Sequence, residues 1–498
     1  MKRKKKSVIQ SISPAEYIAT QLAEFKPLLV DAEYAELVAE VDQPLPVAFR
    51  LNPLKRLPDG AQGLARRYGW MLAPIPFCSE GYRVSDAASV PVSSTLEHKT
   101  GAYYIQEAAS MLPVALFNFS DAEDELTLDL AASPGGKTTH LVARQQDRGL
   151  VMANDSSQSR IQALKVVLQH WGATNTAVTR FPGEKMGGWF TNLFDRALID
   201  APCSMQGLRT AESHDTRPVT IKESRALAQR QVALLTSALQ AVRVGGEVVY
   251  STCTLLPAED EGVVDEVLTR FKGTVRLVNV SEKLPSPAPG LQQADGQSYQ
   301  NDMKNVVRLW PHRLQTAGFF ACLLQKTDEL GLKQTPAPTH SMEAAGFNEL
   351  SAKESFAFAS KFESWFGFSL AEDLECSKRV LVRRDQRVFI FPRLLLERFR
   401  SLPVQSAGML LGEWEGEHFV PSHEWVTRFG AGCSRVLLAL DEDMFNRFCA
   451  GEDLPDLSQS VDSASDLRVV TDRDGRIAGR ARVIAGKVKN LSARQLGN

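Results

Sequence analysis

The stretch that decides the fold runs from Leu126 to Lys137 and reads L-T-L-D-L-A-A-S-P-G-G-K. Leu126, Leu128 and Leu130 alternate with polar residues, small residues fill the turn from Ala131 to Gly136, and K-T-T-H-L-V-A-R-Q-Q then reads as a helix. The pattern is strand, tight loop, helix. Gly135 and Gly136 allow the backbone to approach a ligand closely, and the helix that follows offers unpaired N–H groups and its positive dipole end to an anionic group. A nucleotide-like cofactor held by Ala131, Ala132, Ser133, Pro134, Gly135, Gly136 and Lys137 is the occupant this predicts. A phosphate-binding loop, G-x-x-x-x-G-K-[ST], is the competing reading. Gly136, Lys137 and Thr138 supply its end, but Ala131 stands where its first glycine belongs.

Working outward, a second strand over 150–153 ends at Asn154 and Asp155, about twenty residues past the glycines, where a nucleotide-binding α/β unit places the acid that meets ribose hydroxyls. Capping of the next helix is the plainer role for Asp155. That helix, 156–171, buries Ile161, Leu164, Leu168 and Trp171 on one face and stops at Gly172. Further strands are expected over 176–181, 196–200 and 247–251, with a long helix over 221–242. Alternation of this kind predicts an α/β fold, a mostly parallel sheet covered on both faces, with ligands at the carboxyl ends of the strands. That edge then gathers Asp200 and Cys203, in L-I-D-A-P-C-S, and Cys253, in Y-S-T-C-T. One free cysteine reads as buried and inert, but two on loops at the same sheet edge read as functional.

At 498 residues the chain is long enough for about three domains. Its 44% hydrophobic and 23% charged residues are those of a soluble globular protein, and no apolar run reaches the roughly 18 residues that would span a bilayer. The start, M-K-R-K-K-K, lacks the apolar segment of a secretory signal. Seven cysteines with no C-x-x-C pair argue against a disulfide framework or a structural zinc site, so no metal and a reducing cytoplasmic location are expected. Net charge is −2, yet charge is clustered. Lys2 to Lys6 form a basic arm, and Arg473, Arg476, Arg480, Arg482, Lys487, Lys489 and Arg494 are relieved only by Asp472 and Asp474. Basic clusters at both ends point to a polyanion partner.

Residues 1–98 read as a small α+β domain that binds RNA. Helical periodicity covers 15–41, and V-A-F-R-L-N-P-L-K is extended as far as Pro53, with Arg50 and Asn52 on one exposed strand face. Residues 99–327 make the catalytic domain and 328–400 a linker, opening with K-Q-T-P-A-P-T-H-S-M, and an intermediate domain. Residues 401–498 form a last domain that grips RNA backbone.

The motifs resemble those of the RNA cytosine-5 methyltransferases of the Nol1/Nop2/Sun group. D-L-A-A-S-P-G-G-K-T is similar to that family's S-adenosylmethionine loop, D-A-P-C-S to its first cysteine motif and S-T-C-T to its second; Gly101 to Pro113 and Leu309 to Phe320 are similar to its framing segments. The tail, with L-L-G-E-W-E-G-E-H-F-V-P-S-H and I-A-G-R-A-R-V-I-A-G-K-V-K-N, resembles the PUA-like domain of the bacterial ribosomal RNA members. The resemblance implies a Rossmann-like S-adenosylmethionine-dependent methyltransferase domain flanked by a small N-terminal α+β domain and a C-terminal PUA-like domain. It also implies a ribosomal RNA substrate, within the small ribosomal subunit, and as target a cytosine in the decoding-site helix of 16S rRNA. Two positions depart from the family pattern. Pro182 stands where an aspartate usually meets the adenine amino group, and Met205 where a glycine usually follows D-A-P-C-S.

The chemistry fits the residues. Carbon-5 of cytosine is a poor nucleophile, but a thiolate adding to carbon-6 makes an enamine whose carbon-5 can attack a sulfonium methyl group. A carboxylate such as Asp200 near ring N3 supports protonation there, and a second group must help remove the carbon-5 proton. On the residues alone either cysteine could attack; the resemblance implies attack by Cys253 and release by Cys203. The target base must be flipped out or already unpaired. Two other readings remain open: a P-loop NTPase with Asp200 holding magnesium, and an RNA-binding ribosome assembly factor that has lost activity.

Overall fold

The computed structural model describes residues 14–492 apart from 42, 87–89, 123, 209–218, 287, 295, 456–464 and 485–486. The basic arm at 2–6, Arg494 and most of the polar stretch at 457–466 lie outside the described residues.

The N-terminal periodicity resolves into two helices, α1 (Pro14–Phe25) and α2 (Asp31–Val41), because Pro27 has no N–H to extend the ladder and sits in a 3-10 turn, Lys26–Leu28. Phe25, Leu37 and Val41 do not join the N-terminal sheet; they pack with Leu208, Leu255 and Trp310, beyond the two cysteine loops. The sheet is β1 (Ala48–Leu51), β2 (Met71–Ile75), β3 (Cys78–Asp86) and β4 (Tyr103–Ile105), ordered β2-β3-β1-β4. Leu64 of α3 (Gly60–Tyr68) joins its core of Phe49, Trp70 and Tyr103. Since β4 pairs with β1, the expected domain edge at 98 cuts this sheet. Arg50 and Asn52, expected to be exposed, are 0% and 2% exposed. Their face of β1 is laid against the catalytic domain, where Asn52 donates to the carbonyls of Gly101 and Trp171, both at 2.8 Å.

Two short turns, α4 (Leu96–Lys99) and α5 (Leu112–Ala115), lead into the large sheet. Its units are β5 (Leu126–Asp129), α6 (Gly136–Arg144), β6 (Leu150–Asn154), α7 (Gln158–Trp171), β7 (Thr176–Thr179), α8 (Gly183–Trp189) and β8 (Phe194–Asp200), then α9 (Ile221–Ala241), β9 (Val242–Thr252), α10 (Glu261–Arg270) and β10 (Val275–Val278). A small hairpin, β11 (Gln293–Ala294) and β12 (Gln297–Ser298), β13 (Val307–Leu309), α11 (Pro311–Leu314) and β14 (Phe319–Lys326) complete it. The order is β10-β14-β9-β8-β5-β6-β7, with β5 to β9 parallel and β14 inserted antiparallel between β9 and β10. The order in which the chain adds strands reverses between β5 and β8, which opens a crevice at their carboxyl ends.

Alternation along the strands builds both faces. Leu128, Met152, Ile199 and Val248 meet α8, α9 and α10, whereas Val151, Ala153, Leu198 and Val249 meet α6 and α7. The face expected for α7, Ile161, Leu164, Leu168 and Trp171, is the buried one. Strand β7 stops at Thr179, short of the expected 181, because the Asn154 side chain takes over the chain there, accepting from Phe181 N at 2.9 Å and donating to Phe181 O at 3.0 Å.

Past 327 the chain is no free linker. Thr335 N donates to Gly188 O at 2.8 Å, Gln240 donates to Lys333 O at 3.1 Å, and Met342 is buried. A five-stranded sheet follows, β15 (Asn348–Glu349), β16 (Arg379–Arg384), β17 (Arg387–Pro392), β19 (Met409–Glu415) and β20 (His418–Pro421), with helices α12 (Ala352–Phe366), α13 (Leu370–Cys376) and α14 (Arg393–Phe399). Because β17 pairs with β19, the expected boundary at 400 falls inside this sheet. Between them β18 (Ser406–Ala407) pairs antiparallel with β7 and covers the edge of the catalytic sheet. Helix α15 (His423–Phe429) leads to a four-stranded sheet, β21 (Leu437–Leu440), β22 (Leu467–Asp472), β23 (Ile477–Ile484) and β24 (Lys487–Asn490), with α16 (Glu442–Cys449) beside it.

The tail docks through Asp147. Its Oδ1 accepts from Thr174 N and Asn175 N, both at 3.0 Å, and its Oδ2 pairs with Arg379 at 2.9 Å and Arg428 at 2.6 Å. No helix among the described residues is long and apolar enough to cross a membrane.

Candidate active site

The loop after β5 is held from three sides. Gly135 has φ +117, a conformation open to glycine, and a Cβ there would stand 2.9 Å from Val167 of α7. A Cβ on Gly136 would stand 2.9 Å from the Tyr104 ring. From the N-terminal sheet, Arg50 donates to Gly136 O at 3.1 Å and Thr139 Oγ1 at 2.7 Å, with its guanidinium 4.6 Å from the Trp171 ring. From α7, Arg160 donates to Ser133 O and receives a bond from Ser133 Oγ at its own carbonyl. The helix α6 begins directly after this turn, as the sequence pattern requires.

A cavity of about 420 Å³ opens at the switch point. Its wall carries Asp129, Ala131, Ala132, Ser133, Pro134, Gly136 and Lys137 of the loop region, then Asp200, Met205 and Cys253 from the β8 and β9 ends, and Tyr104, Gln106 and Glu107 from the N-terminal side. Three expected residues are not on that wall. Gly135 turns to α7. Cys203 stands behind Cys253, with the sulfurs 3.2 Å apart. Asp155, buried at the end of β6, accepts from Ser157 N at 2.8 Å, while Ser157 is the cap of α7. Its Oδ2 has no hydrogen-bond partner among the described residues, only an approach of 3.5 Å from Arg160. The helix-entry role of Asp155 is thus present, with one carboxylate oxygen uncommitted.

Lys137 bonds Asp200 Oδ2 at 2.7 Å and lies 5.5 Å from the Phe319 ring. Burial works against its charge, but Asp200 and Cys253 more than offset this and raise the ammonium pKa. Ser251 donates to the other oxygen of Asp200 at 3.1 Å. The Asp129 carboxyl, which takes a bond from Thr138 at 2.7 Å, is pushed up to about 7 by burial and further by Asp200. The Cys203 thiol is pushed well above its usual range, first by its hydrogen bond with Cys253 and then by burial. The two sulfurs are within hydrogen-bond distance, and either thiol could be the donor.

Both cysteine loops are braced from below. Glu259 accepts from Ser204 N at 3.0 Å and Gln231 at 2.9 Å, and Gln231 also bonds Pro202 O. Arg308, buried with Asp260 and Glu261, donates to Leu255 O at 2.7 Å, fixing the chain just past Cys253. Met205 has φ +60, the left-handed region that favours glycine. Where the resemblance expects a glycine, the backbone thus takes a conformation that glycine favours, and this chain has a methionine there, on the cavity wall. Pro182 is the residue before α8, and Phe181 beside it packs edge-on against Trp189.

The sequence reading missed Asp129, Arg50, Tyr104, Gln106, Glu107 and Glu259. Asp129 had a signal, an acid ending the first strand. The others are brought in by tertiary packing: Arg50 had a strand face and Tyr104, Gln106 and Glu107 a framing segment, but nothing local gave any of them a place in the site.

A sheet of this order, with its loop at the switch point, is the fold of the Rossmann-like S-adenosylmethionine-dependent methyltransferases. Residues 117–325 match the family described as 16S rRNA methyltransferase RsmB/F, and 18–108 match the N-terminal domain of 16S rRNA methyltransferase RsmF. Ribosomal RNA small subunit methyltransferase F of Aeromonas hydrophila subsp. hydrophila is 31% identical over 464 residues, 93% of each chain. The protein of that name from Vibrio vulnificus is 29% identical over 479 residues, covering 96% of this chain and 97% of its own. A crystal structure of a methyltransferase homolog from Pyrococcus horikoshii matches with a TM-score of 0.52 and 28% identity, over 63% of this chain and 100% of that one. The chain belongs to the 16S rRNA methyltransferase RsmB/F family. Membership sets aside the P-loop NTPase reading, which Ala131 already opposed.

The residues fit S-adenosylmethionine. The cradle at Gly136 is too close to Tyr104 for any side chain, the loop side of the wall from Ala131 to Gly136 is of small residues, and nearby Asp155 has one oxygen without a hydrogen bond, met only by Arg160 at 3.5 Å. Asp155→Ala is expected to weaken S-adenosylmethionine binding by about 1–3 kcal/mol in isothermal titration. Unchanged affinity would remove Asp155 from the site.

Proposed function

We propose that this chain methylates carbon-5 of a cytosine in 16S ribosomal RNA, in the decoding-site helix of the small subunit, through a covalent adduct with Cys253. One observation carries the reading. Cys253, Asp200 and Lys137 share a cavity wall with the cofactor loop, and Cys203 stands 3.2 Å behind the attacking sulfur.

When bound, S-adenosylmethionine supplies an electrophilic methyl group. Asp129 and the loop from Ala131 to Lys137 would hold it, with Asp155 for the ribose. Cys253 adds to carbon-6 of the flipped cytosine. Asp200, oriented by Lys137 and Ser251, presents its carboxyl group to ring N3. After methyl transfer Cys203, having given its own proton to solvent, would act as a thiolate that takes the carbon-5 proton, and the electrons of that C–H bond re-form the ring double bond and expel Cys253 as a thiolate. A test is to incubate the protein with small ribosomal subunits or 16S rRNA and methyl-labelled S-adenosylmethionine, then map the product. One 5-methylcytosine in the decoding-site helix is expected. No incorporation on either substrate would favour the silent assembly factor.

The basic tail is narrower than its composition implies. Arg476 pairs with Asp472 at 2.6 Å and Glu97 at 3.4 Å, Arg480 donates to Pro421 O, and Arg482 pairs with Glu415 at 2.9 Å. Arg473, Lys487 and Lys489 are exposed. Replacing these three with alanine should weaken RNA binding and lower its salt slope by about 2, with cofactor affinity unchanged. An unaltered slope would take this face out of the RNA interface.

A further inference from the structure

Outside the cavity, a second cluster joins the N-terminal sheet to α6. Cys78 and Glu80 of β3 face His140, four residues into the helix after the cofactor loop. Cys78 Sγ lies 3.8 Å from His140 Nε2 and 3.8 Å from Glu80 Oε2, and all three ligand atoms lie within 4.8 Å of one another. His140 is 1% exposed, and its Nδ1 has no hydrogen-bond partner among the described residues. A buried imidazole met only by a sulfur is a costly arrangement that needs an explanation.

We propose that Cys78, Glu80 and His140 bind one zinc ion, with a water molecule as fourth ligand on the half-buried Glu80 side. Zinc bonds of about 2.0–2.3 Å at tetrahedral angles put sulfur, nitrogen and oxygen ligands about 3.4–3.6 Å apart, so the two distances from Cys78 need shorten by only a few tenths of an ångström, and Glu80, on the half-buried side, closes the remaining gap to His140. A thiolate, a neutral imidazole and a carboxylate are the donor set that zinc accepts. Two guanidinium groups border the cluster. Arg50 is committed to Gly136 O and Thr139, and Arg144 approaches the second oxygen of Glu80 at 3.6 Å. The two anionic ligands offset the charge of the ion. The sequence hides the site because its ligands come from two domains with no C-x-x-C spacing. Its effect is a staple, fastening the sheet that carries Arg50 to the helix whose first turn closes the cofactor loop.

The test uses the full chain stripped with chelator and titrated with zinc and with cobalt(II). One equivalent should bind and raise the unfolding temperature, and cobalt should give thiolate charge-transfer absorption. That absorption should persist in the Cys203→Ser/Cys253→Ser double variant and vanish in Cys78→Ser. In Glu80→Gln, whose side chain is half-exposed, zinc affinity should fall at least tenfold. Absence of thiolate absorption in the parent chain overturns the proposal, as does absorption that survives Cys78→Ser or that is lost in the Cys203→Ser/Cys253→Ser variant.

Discussion

Cys203→Ala is expected to accumulate as a protein–RNA complex that survives denaturing electrophoresis and builds up fully only with both substrate RNA and S-adenosylmethionine. Cys253→Ala should form no adduct and lose methylation by on the order of 10⁴-fold or more, since the reaction then has no nucleophile. The asymmetry follows from the site. Cys253 is on the cavity wall with Lys137, whereas Cys203 is off that wall, its sulfur 3.2 Å from that of Cys253. Without Cys203 the attack and methyl transfer remain possible, but the carbon-5 proton has lost its acceptor and the bond to Cys253 persists. An adduct with Cys253→Ala and none with Cys203→Ala would reverse the two roles. Adducts with neither would set aside covalent catalysis.

The second large effect is on stability. Asp147→Ala leaves Arg379 and Arg428, at 6% and 7% side-chain exposure, facing each other with only Asp373, 3.5 Å from Arg379, as a carboxylate. Removing one partner of a buried charge cluster costs about 3–5 kcal/mol, which should appear as an earlier unfolding transition in denaturant. Adding Arg428→Met should recover part of the loss, because it removes one stranded charge. A change below about 1 kcal/mol would mean that the tail is held chiefly by other contacts. Burial alone would raise the Asp147 pKa, but Arg428 and Arg379 hold it below the usual carboxylate range. The unfolded chain therefore takes up the proton first as pH falls, so the contribution is present above about 4 and is lost through the folded value.

The catalytic sheet was legible because its code is local. L-T-L-D-L followed by small residues and glycines can fold in few ways, and Asp200 and Cys253 sit at strand ends that hydrophobic runs announce. The α7 face needed only helical periodicity. What failed was decided by tertiary packing. Alternation in R-L-N placed Arg50 and Asn52 correctly on one face but could not say that another domain covers it. The proline-rich composition after 327 reads as linker, yet Leu330, Leu332 and Ala337 pack on the catalytic core. In the basic tail, Arg476, Arg480 and Arg482 serve internal pairs, which a count of charges does not reveal.

The two-residue strand Ser406–Ala407 limits how this enzyme can be divided. It completes the hydrogen bonding of β7, the outermost parallel strand, although it lies well beyond the last strand of the catalytic domain in sequence. A fragment ending near 327 would present bare amide and carbonyl groups along that rim, an open template for another molecule's strand. The tail, which follows the chemistry in sequence, thus also guards the open edge of the catalytic sheet, and a chain cut near 327 is expected to associate through that edge more readily than the whole.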